Sequence, residues 1–275
     1  MLPLKDRNPT RQVPVVTIAL IIINVGVFLF VQPQGRQLLG QVGFNDMESV
    51  ATRFNFEYAA IPCEVVQGRP LTVEELPHGP SGDTCREGAP GPPVFPGKQV
   101  WLAVLFSMFL HGGLLHLGGN MLFLWVFGNN IEDHVGPVRY VLFYLAAGLV
   151  ATGAHVVVQP DSTIPLVGAS GAIAGVMGAY LVWFPNAPVL TLFIFIIILF
   201  REIEAKWLLG FWLLSQFFVN PNAGVAWVAH VGGFVFGVLV ALAVRASRSI
   251  RQVAWRGGYA DPARDPWGEW GRGPY

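Results

Sequence analysis

This sequence has few charged residues. Only 12% of its 275 residues are Asp, Glu, Lys or Arg, whereas a soluble domain has roughly 25%. Hydrophobic residues make up 53% of the chain, and the mean hydropathy is +0.52. This composition excludes an ordinary soluble domain. Because the formal net charge is zero and no basic stripe is present, we also expect no binding to nucleic acid.

Long apolar runs predict an all-α, polytopic membrane protein with six transmembrane helices. A helical span needs about 20 mainly apolar residues, and six runs are of spanning character. A shorter run, residues 189–200, would reach only about 18 Å as a helix, against a hydrocarbon core of about 30 Å. We predict that it is an interfacial segment or an extension of a neighbouring helix. The six predicted spans are 14–31, 101–128, 138–158, 170–184, 205–219 and 226–244.

Lysine and arginine are missing from the short loops 159–165 and 220–225. Because cytoplasmic loops are enriched in these residues, we predict that both loops lie outside and that both termini are cytoplasmic. We expect an integral, multi-pass protein in the lipid bilayer of a prokaryotic inner membrane. The predicted parts are a cytoplasmic N-terminus (1–12), a six-helix membrane domain (13–245) with a long first extracytoplasmic loop (32–100), and a flexible cytoplasmic tail (246–275).

Cysteine occurs only twice, at Cys63 and Cys85, and both residues lie in the 32–100 loop. An oxidising outer compartment would favour a disulfide between them. Such a bridge would close a loop of about 20 residues and contribute about 3 kcal/mol in the chain-entropy model. Two unpaired thiols are the alternative, and the sequence does not decide between the two.

The fourth predicted span begins below the membrane surface. Pro165, Gly168 and Gly171 favour a helix start near Ser170 over an earlier one. From Ser170 to Phe184 such a helix would be about 22 Å long, which is less than the bilayer thickness. Non-helical backbone at that depth must be enclosed by protein or reached by water. We therefore predict a water-filled pocket that opens outward at Ser170.

Polar residues from two other predicted spans fall at the depth of Ser170. His230 lies about one turn into its run, and His116 and Asn120 share a helical face because they are four residues apart. Such side chains are costly in a span and indicate function. Peptide hydrolysis needs a nucleophile, a base and donors to the oxyanion. No Asp or Glu lies in the outer half of a span near His230, so we predict a Ser–His dyad in which Ser170 attacks and His230 is the base.

Other polar and small residues in the spans have structural explanations. The run 101–128 is too long for one untilted span, and we predict that "HGG" at 111–113 breaks it. By helical spacing His111 would point about 140° away from His116, so we predict that it faces elsewhere. Gly233 and Gly237 are typical of closely packed helices, and close packing would also bring Ser170 to His230. Two further histidines, His134 and His155, are predicted to be structural or solvated.

Three motifs together resemble the rhomboid family of intramembrane serine proteases. They are "HGGLLHLGGN" with His116 and Asn120, "GASG" with Ser170, and "AHVGGFVFG" with His230. The resemblance covers about residues 10 to 245 and implies a six-transmembrane-helix, rhomboid-like bundle. It implies an enzyme without a cofactor, whose substrates are transmembrane helices of other proteins that it cleaves near the outer face of the membrane.

The resemblance also implies roles for individual residues. Ser170 would be the nucleophile and His230 its base. Some relatives carry a tyrosine four residues after the serine that packs on the histidine, but this chain has Ala174 there, so another side chain must hold the His230 ring. The further implied roles are oxyanion or substrate binding for His116, Asn120 and Gly168, and structural positions for His111, Glu132, Gly233 and Gly237.

Three other functions compete with a serine protease. The main alternative is a catalytically inactive rhomboid-like protein that binds membrane-protein clients. A transporter is disfavoured because the sequence has no inverted repeat. A metalloprotease is disfavoured because HExxH is absent and no carboxylate has ligand spacing to the histidines, so we expect no metal.

Overall fold

The computed structural model describes residues 1–39, 47–76, 85, 91–194, 198–219 and 225–246. Met1–Ala241 form one compact unit and Leu242–Tyr275 a second. Of the second unit only the end of one helix is described. The predicted cytoplasmic tail after Ala246 and most of the predicted outer loop 220–225 therefore lie outside the described residues.

Helices make up most of the described chain, as the composition predicts. The last two helices are α9 (Ala205–Gln216) and α10 (Trp227–Ala246). The others are α1 (Val15–Gly26, continued by a π-helical turn, Val27–Val31), α2 (Pro33–Leu38), α3 (Met47–Tyr58), α4 (Pro62–Gln67), α5 (Val100–Ser107), α6 (Leu114–Val135), α7 (Pro137–Val158) and α8 (Ser170–Trp183). By length and composition, α7 and α10 could each cross a bilayer, while Val15–Val31 and α8 are shorter apolar helices.

Two local predictions about the helices are confirmed. The fourth apolar run becomes helical at Ser170, the first residue of α8. The second run is broken between α5 and α6 at the "HGG" sequence, so that α6 starts at Leu114. Glycine and proline disfavour a continuing helix, which is why both boundaries can be recognised in the sequence.

The short apolar run 189–200 forms strands, so the prediction that it extends a neighbouring helix is wrong. Residues 189–194 lie in β2 (Pro188–Ile194) and residues 198–200 begin β3 (Ile198–Glu204), and the two strands pair antiparallel. The N-terminal strand β1 (Leu2–Asp6) pairs with the other edge of β2, giving the order β1-β2-β3. β-Branched and aromatic residues fill the run, and these favour strands over helix.

Buried carboxylates attach the N-terminal segment to the helices. Asp6 accepts hydrogen bonds from the Tyr180 hydroxyl (2.7 Å) and from Asn130 Nδ2 (2.5 Å). Glu132 on α6 accepts from the backbone amides of Val16 and Thr17 at the start of α1, both at 2.8 Å. A carboxylate at a helix N-terminus accepts hydrogen bonds from the free amides, and its negative charge interacts favourably with the positive end of the helix dipole. Glu132 therefore fixes where α1 begins.

Helix α8 lies in the centre of the bundle and is buried along most of its length. Glycines let α10 pack against it at backbone distance. A Cβ on Gly233 would lie 2.1 Å from the Gly171 carbonyl oxygen, and one on Gly237 would lie 1.9 Å from the Gly175 oxygen. No side chain fits at such distances, so these glycines determine the separation between the helix that carries Ser170 and the one that carries His230.

Changing Gly237 to alanine should therefore force α8 and α10 apart. Overpacking of this kind costs about 1–3 kcal/mol, and we expect a lower denaturation midpoint for Gly237→Ala in detergent. Gly210→Ala on α9 is the matched control, because a Cβ there meets no heavy atom within 4 Å. Equal midpoints for the two variants would contradict the packing account.

Part of the long first loop is an ordered subdomain, here named the loop subdomain (residues 47–76, Cys85 and 91–99). Cys63 and Cys85 are joined by a disulfide. Lys98 is buried, forms an ion pair with Glu64 (2.5 Å) and donates to the Ala59 carbonyl (2.8 Å). Burial raises the pKa of Glu64 and lowers that of Lys98, while their mutual attraction opposes both shifts. Pairing in this way allows two charges to be buried.

The loop subdomain is bonded to the chain that leads into α8. The Leu166 amide donates to the Ala60 carbonyl (2.8 Å), and the Cys63 amide donates to the Ser162 carbonyl (3.0 Å). Ser107 of α5 joins the two segments, because its hydroxyl oxygen accepts from the Ala60 amide (2.6 Å) and its carbonyl accepts from the Gly168 amide (2.9 Å). The loop subdomain thus supports the residues just before Ser170.

Candidate active site

Ser170 and His230 are in direct contact, although 60 residues separate them in the chain. His230 Nε2 lies 2.7 Å from Ser170 Oγ, which is hydrogen-bond distance. Ser170 is the first residue of α8, and His230 lies in the first turn of α10. Both side chains are partly exposed, so that a reactant can reach them. The pair has the geometry of a hydroxyl nucleophile beside its general base.

Ser170 also presents its backbone amide. The first four amides of an α-helix have no acceptor within the helix, and Ser170 provides the first of them in α8. Gly168, two residues earlier, has a φ of +132°, a conformation that favours glycine. The chain therefore turns sharply before α8, and the Ser170 amide lies next to its own hydroxyl, where it can donate to a developing oxyanion.

His116 and the Ser170 hydroxyl both lie near the Cα of Gly168. A Cβ on Gly168 would be 2.9 Å from His116 Nε2 and 3.5 Å from Ser170 Oγ. The Gly112 amide donates to His116 Nδ1 (3.3 Å). A neutral ring that accepts at Nδ1 carries its proton on Nε2. The Nε2–H group of His116 therefore points toward Gly168. The Ser170 hydroxyl lies near the same residue.

Asn120 lies one helical turn after His116 and is buried, with 7% of its surface exposed. Its Nδ2 has no hydrogen-bond partner among the described residues. A buried amide without a partner costs about 1–3 kcal/mol, so an unpaired donor one turn from His116 requires an explanation. The Asn120 Nδ2 group can donate a hydrogen bond to a substrate oxygen that becomes negatively charged only during a reaction.

His111 does not face away from His116, so that prediction is wrong. The two rings are in edge-to-face contact with centroids 5.3 Å apart. The prediction applied helical spacing to both residues, whereas α6 starts only after His111. The backbone of His111 is held by Gln32, whose amide group bonds to the His111 N–H and C=O, both at 2.9 Å.

Sequence reasoning missed Gln216 and Trp212, two residues of α9 that hold the His230 ring. Gln216 Oε1 lies 2.7 Å from His230 Nδ1, and the Trp212 ring packs on the imidazole with centroids 5.9 Å apart. Gln216 and Trp212 thus hold the His230 ring, which the small side chain of Ala174 cannot do. Neither residue is a carboxylate, the usual third residue beside such a histidine, but a glutamine four residues after a tryptophan in an apolar run is a usable signal.

The remaining predicted residues lie outside this cluster. Glu132 is at the opposite end of α6 from His116, and Gly233 and Gly237 line the α8–α10 interface. Within the described residues, the group with metal-ligand spacing is Cys63, Glu75 and Cys85. Both of its sulfurs are in the disulfide, so neither is a thiolate ligand.

The chain is similar to known proteins over more than half of its length. Residues 98–247, more than half of the chain, match the model of the Rhomboid domain. The chain is similar to Rhomboid protease GluP of Bacillus subtilis, with 43% identity over 30% of this chain and 15% of that protein. It is also similar to RHOMBOID-like protein 6, mitochondrial, of Arabidopsis thaliana, with 31% identity over 64% of this chain and 54% of the relative.

A third similar protein is Rhomboid-type serine protease 2 of Emericella nidulans, with 28% identity over 62% of this chain and 34% of the relative. The matched region thus spans at most about half the length of these three relatives. Because bacterial and mitochondrial proteins both match, a prokaryotic inner membrane stays a prediction.

Proposed function

The chain belongs to the rhomboid family, and we propose that it is an intramembrane serine endopeptidase. It would hydrolyse a peptide bond in or near a transmembrane helix of another membrane protein. The 2.7 Å contact between Ser170 Oγ and His230 Nε2 is the observation that supports this proposal most strongly. A client-binding protein without catalysis would have no need for a serine and a histidine in this contact.

The proposal includes six spans with both termini in the cytoplasm. The spans would be Val15–Val31, α6, α7, α8, α9 and α10, within a membrane domain of residues 13–245. Strands β2 and β3 would lie on the cytoplasmic side, and the loop subdomain outside. Support comes from the positive-inside rule and from the site itself, because this topology brings Ser170, His116 and His230 to the outer ends of their helices.

The chemistry follows from the atoms in contact. Ser170 Oγ gives its proton to His230 Nε2 and attacks the carbonyl carbon of the substrate. The resulting oxyanion accepts hydrogen bonds from the Ser170 amide, His116 Nε2–H and Asn120 Nδ2. His230 then protonates the leaving amine, and an acyl-enzyme forms on Ser170. Water, activated by His230, hydrolyses the acyl-enzyme and regenerates the serine.

A helical substrate must unwind locally before it can react. The carbonyl of a residue within an α-helix is hydrogen-bonded to an amide four residues later and is shielded by side chains. Glycine costs about 1 kcal/mol relative to alanine within a helix, and proline about 3. Substrates with glycine or proline close to the outer membrane boundary should therefore be cleaved faster than substrates with leucine there.

The test is cleavage of a single-span model substrate by the purified protein in lipid vesicles. Two matched substrates, one with Gly-Ala residues and one with leucines near the outer boundary, are followed by mass spectrometry of the products. We expect cleavage of the first substrate and at least about tenfold slower cleavage of the second. Equal rates would contradict the unwinding step. Binding of both substrates without any product would favour the client-binding alternative.

A further inference from the structure

Gln216 is a buried amide at the end of α9 that contacts the base of the proposed dyad. It is 6% exposed, and its Oε1 lies 2.7 Å from His230 Nδ1, on the side of the ring opposite Ser170. The imidazole is thus held between two polar partners from two different helices. Trp212, one turn earlier on α9, packs against the same ring.

The other half of the Gln216 side chain determines which way its amide points. Nε2 donates to the Trp212 carbonyl oxygen (3.1 Å) and to Ser215 Oγ (3.2 Å). The Ser215 hydroxyl itself donates to the Trp212 carbonyl (2.6 Å), so its oxygen is free to accept. Turning the amide over would place Gln216 Oε1 against a carbonyl oxygen, without a hydrogen between them. The oxygen of Gln216 therefore belongs at His230.

An amide oxygen can only accept a hydrogen bond. His230 must then carry its proton on Nδ1, which leaves the lone pair of the neutral ring on Nε2. Nε2 is the nitrogen at hydrogen-bond distance from the Ser170 hydroxyl. The contact thus selects the tautomer of His230 that can take a proton from the serine, and it excludes the tautomer that would place an N–H against the hydroxyl.

We propose that Gln216 is a positioning residue of the catalytic site, which fixes the tautomer and the orientation of His230. This inference rests on the proposed function for its catalytic consequence. In a Ser–His–Asp triad a carboxylate performs this task. A charged carboxylate is costly in a membrane span, whereas a neutral amide whose hydrogen-bonding groups are paired can be buried at lower cost. Gln216 therefore provides the orientation without the charge.

The activity test compares Gln216→Leu with Gln216→Glu. Leucine removes the acceptor and leaves the tautomer free, so we expect kcat to fall about 10-fold with little change in KM. Glutamate whose outer oxygen is protonated can donate to the Trp212 carbonyl and accept from Nδ1, so it should recover most of the lost kcat. Gln159→Leu, at an exposed position after α7, is the matched control and should retain wild-type kcat. A merely structural Gln216 would give equal kcat values for the leucine and glutamate variants, and that result would overturn the proposal.

A spectroscopic readout separates this proposal from the proposed function, because it does not require turnover. The protein is labelled with ¹⁵N-histidine, and the His230 signals are identified by their loss in His230→Ala. We expect a protonated Nδ1 and an unprotonated Nε2 in the wild type, and a mixture of tautomers in Gln216→Leu. A wild-type protein that cleaves substrate but carries the His230 proton on Nε2 would contradict the role of Gln216 and leave the proposed function intact. A wild-type protein with the expected His230 tautomer but no cleavage would contradict the proposed function, while the positioning of His230 by Gln216 would still hold.

Discussion

Replacing Ser170 by alanine is expected to lower the rate of peptide hydrolysis by at least about 10⁴-fold, because Ser170 carries the hydroxyl that contacts His230. His230→Ala should have a comparable effect, since Ser170 then lacks the base that lies 2.7 Å away. The two residues act as a unit, so the double variant should be no slower than either single variant. The rates are measured on the vesicle-reconstituted protein with the Gly-Ala model substrate.

His134→Ala is the matched control for the histidine change. His134 lies near the other end of α6, where its ring packs on Trp183 and Phe184, and its removal should leave kcat within a few-fold of wild type. If His230→Ala and His134→Ala had the same small effect, the base would be another group. If the fold-loss in rate of the Ser170/His230 double variant equalled the product of the two single losses, the two residues would act in separate steps.

Changing Asn120 to alanine is expected to lower kcat by about 10²- to 10³-fold, which is the usual cost of removing one oxyanion donor. Its Nδ2 is buried without a partner among the described residues, so the donor is unused until charge develops on the substrate. An interaction made mainly in the transition state affects kcat and leaves KM nearly unchanged.

Stability provides a second signature for Asn120. Removing a buried donor that has no partner should not destabilise the folded protein, so Asn120→Ala should keep or raise the denaturation midpoint while losing activity. Asn129→Ala, toward the opposite end of α6, is the matched control and should keep its kcat. A large rise in KM with unchanged kcat would mean that Asn120 binds the substrate uniformly and does not stabilise an oxyanion.

The features that the sequence predicts well depend on neighbouring residues. The start of α8 at Ser170 and the break before α6 are marked by glycine and proline at the boundaries themselves. The apolar runs likewise identify the helices, because lipid permits few charges in a span. The contact between Ser170 and His230 was predictable in outline, because both residues lie in the first turn of their helices.

The features that the sequence did not predict depend on distant partners. A short apolar run can become a helix or a strand. The described residues of 189–200 lie in β2 and β3, and β2 pairs with β1, nearly 200 residues earlier in the chain. Lys98 and Glu64 are charged and would be expected at the surface, yet they are buried because they pair with each other. Gln216 was missed because an uncharged amide was not considered as the partner of a catalytic histidine.

Covalent labelling by a fluorophosphonate tests the central claim most directly, because the reagent reacts with a serine only when that serine is activated. Ser170 Oγ would attack phosphorus, fluoride would leave, and the serine proton would pass to His230. We predict one adduct in the folded wild-type protein, located on Ser170 by mass spectrometry, with none in Ser170→Ala and little in His230→Ala. A folded wild type that stays unlabelled, or a Ser170→Ala variant labelled as strongly as the wild type, would contradict the account.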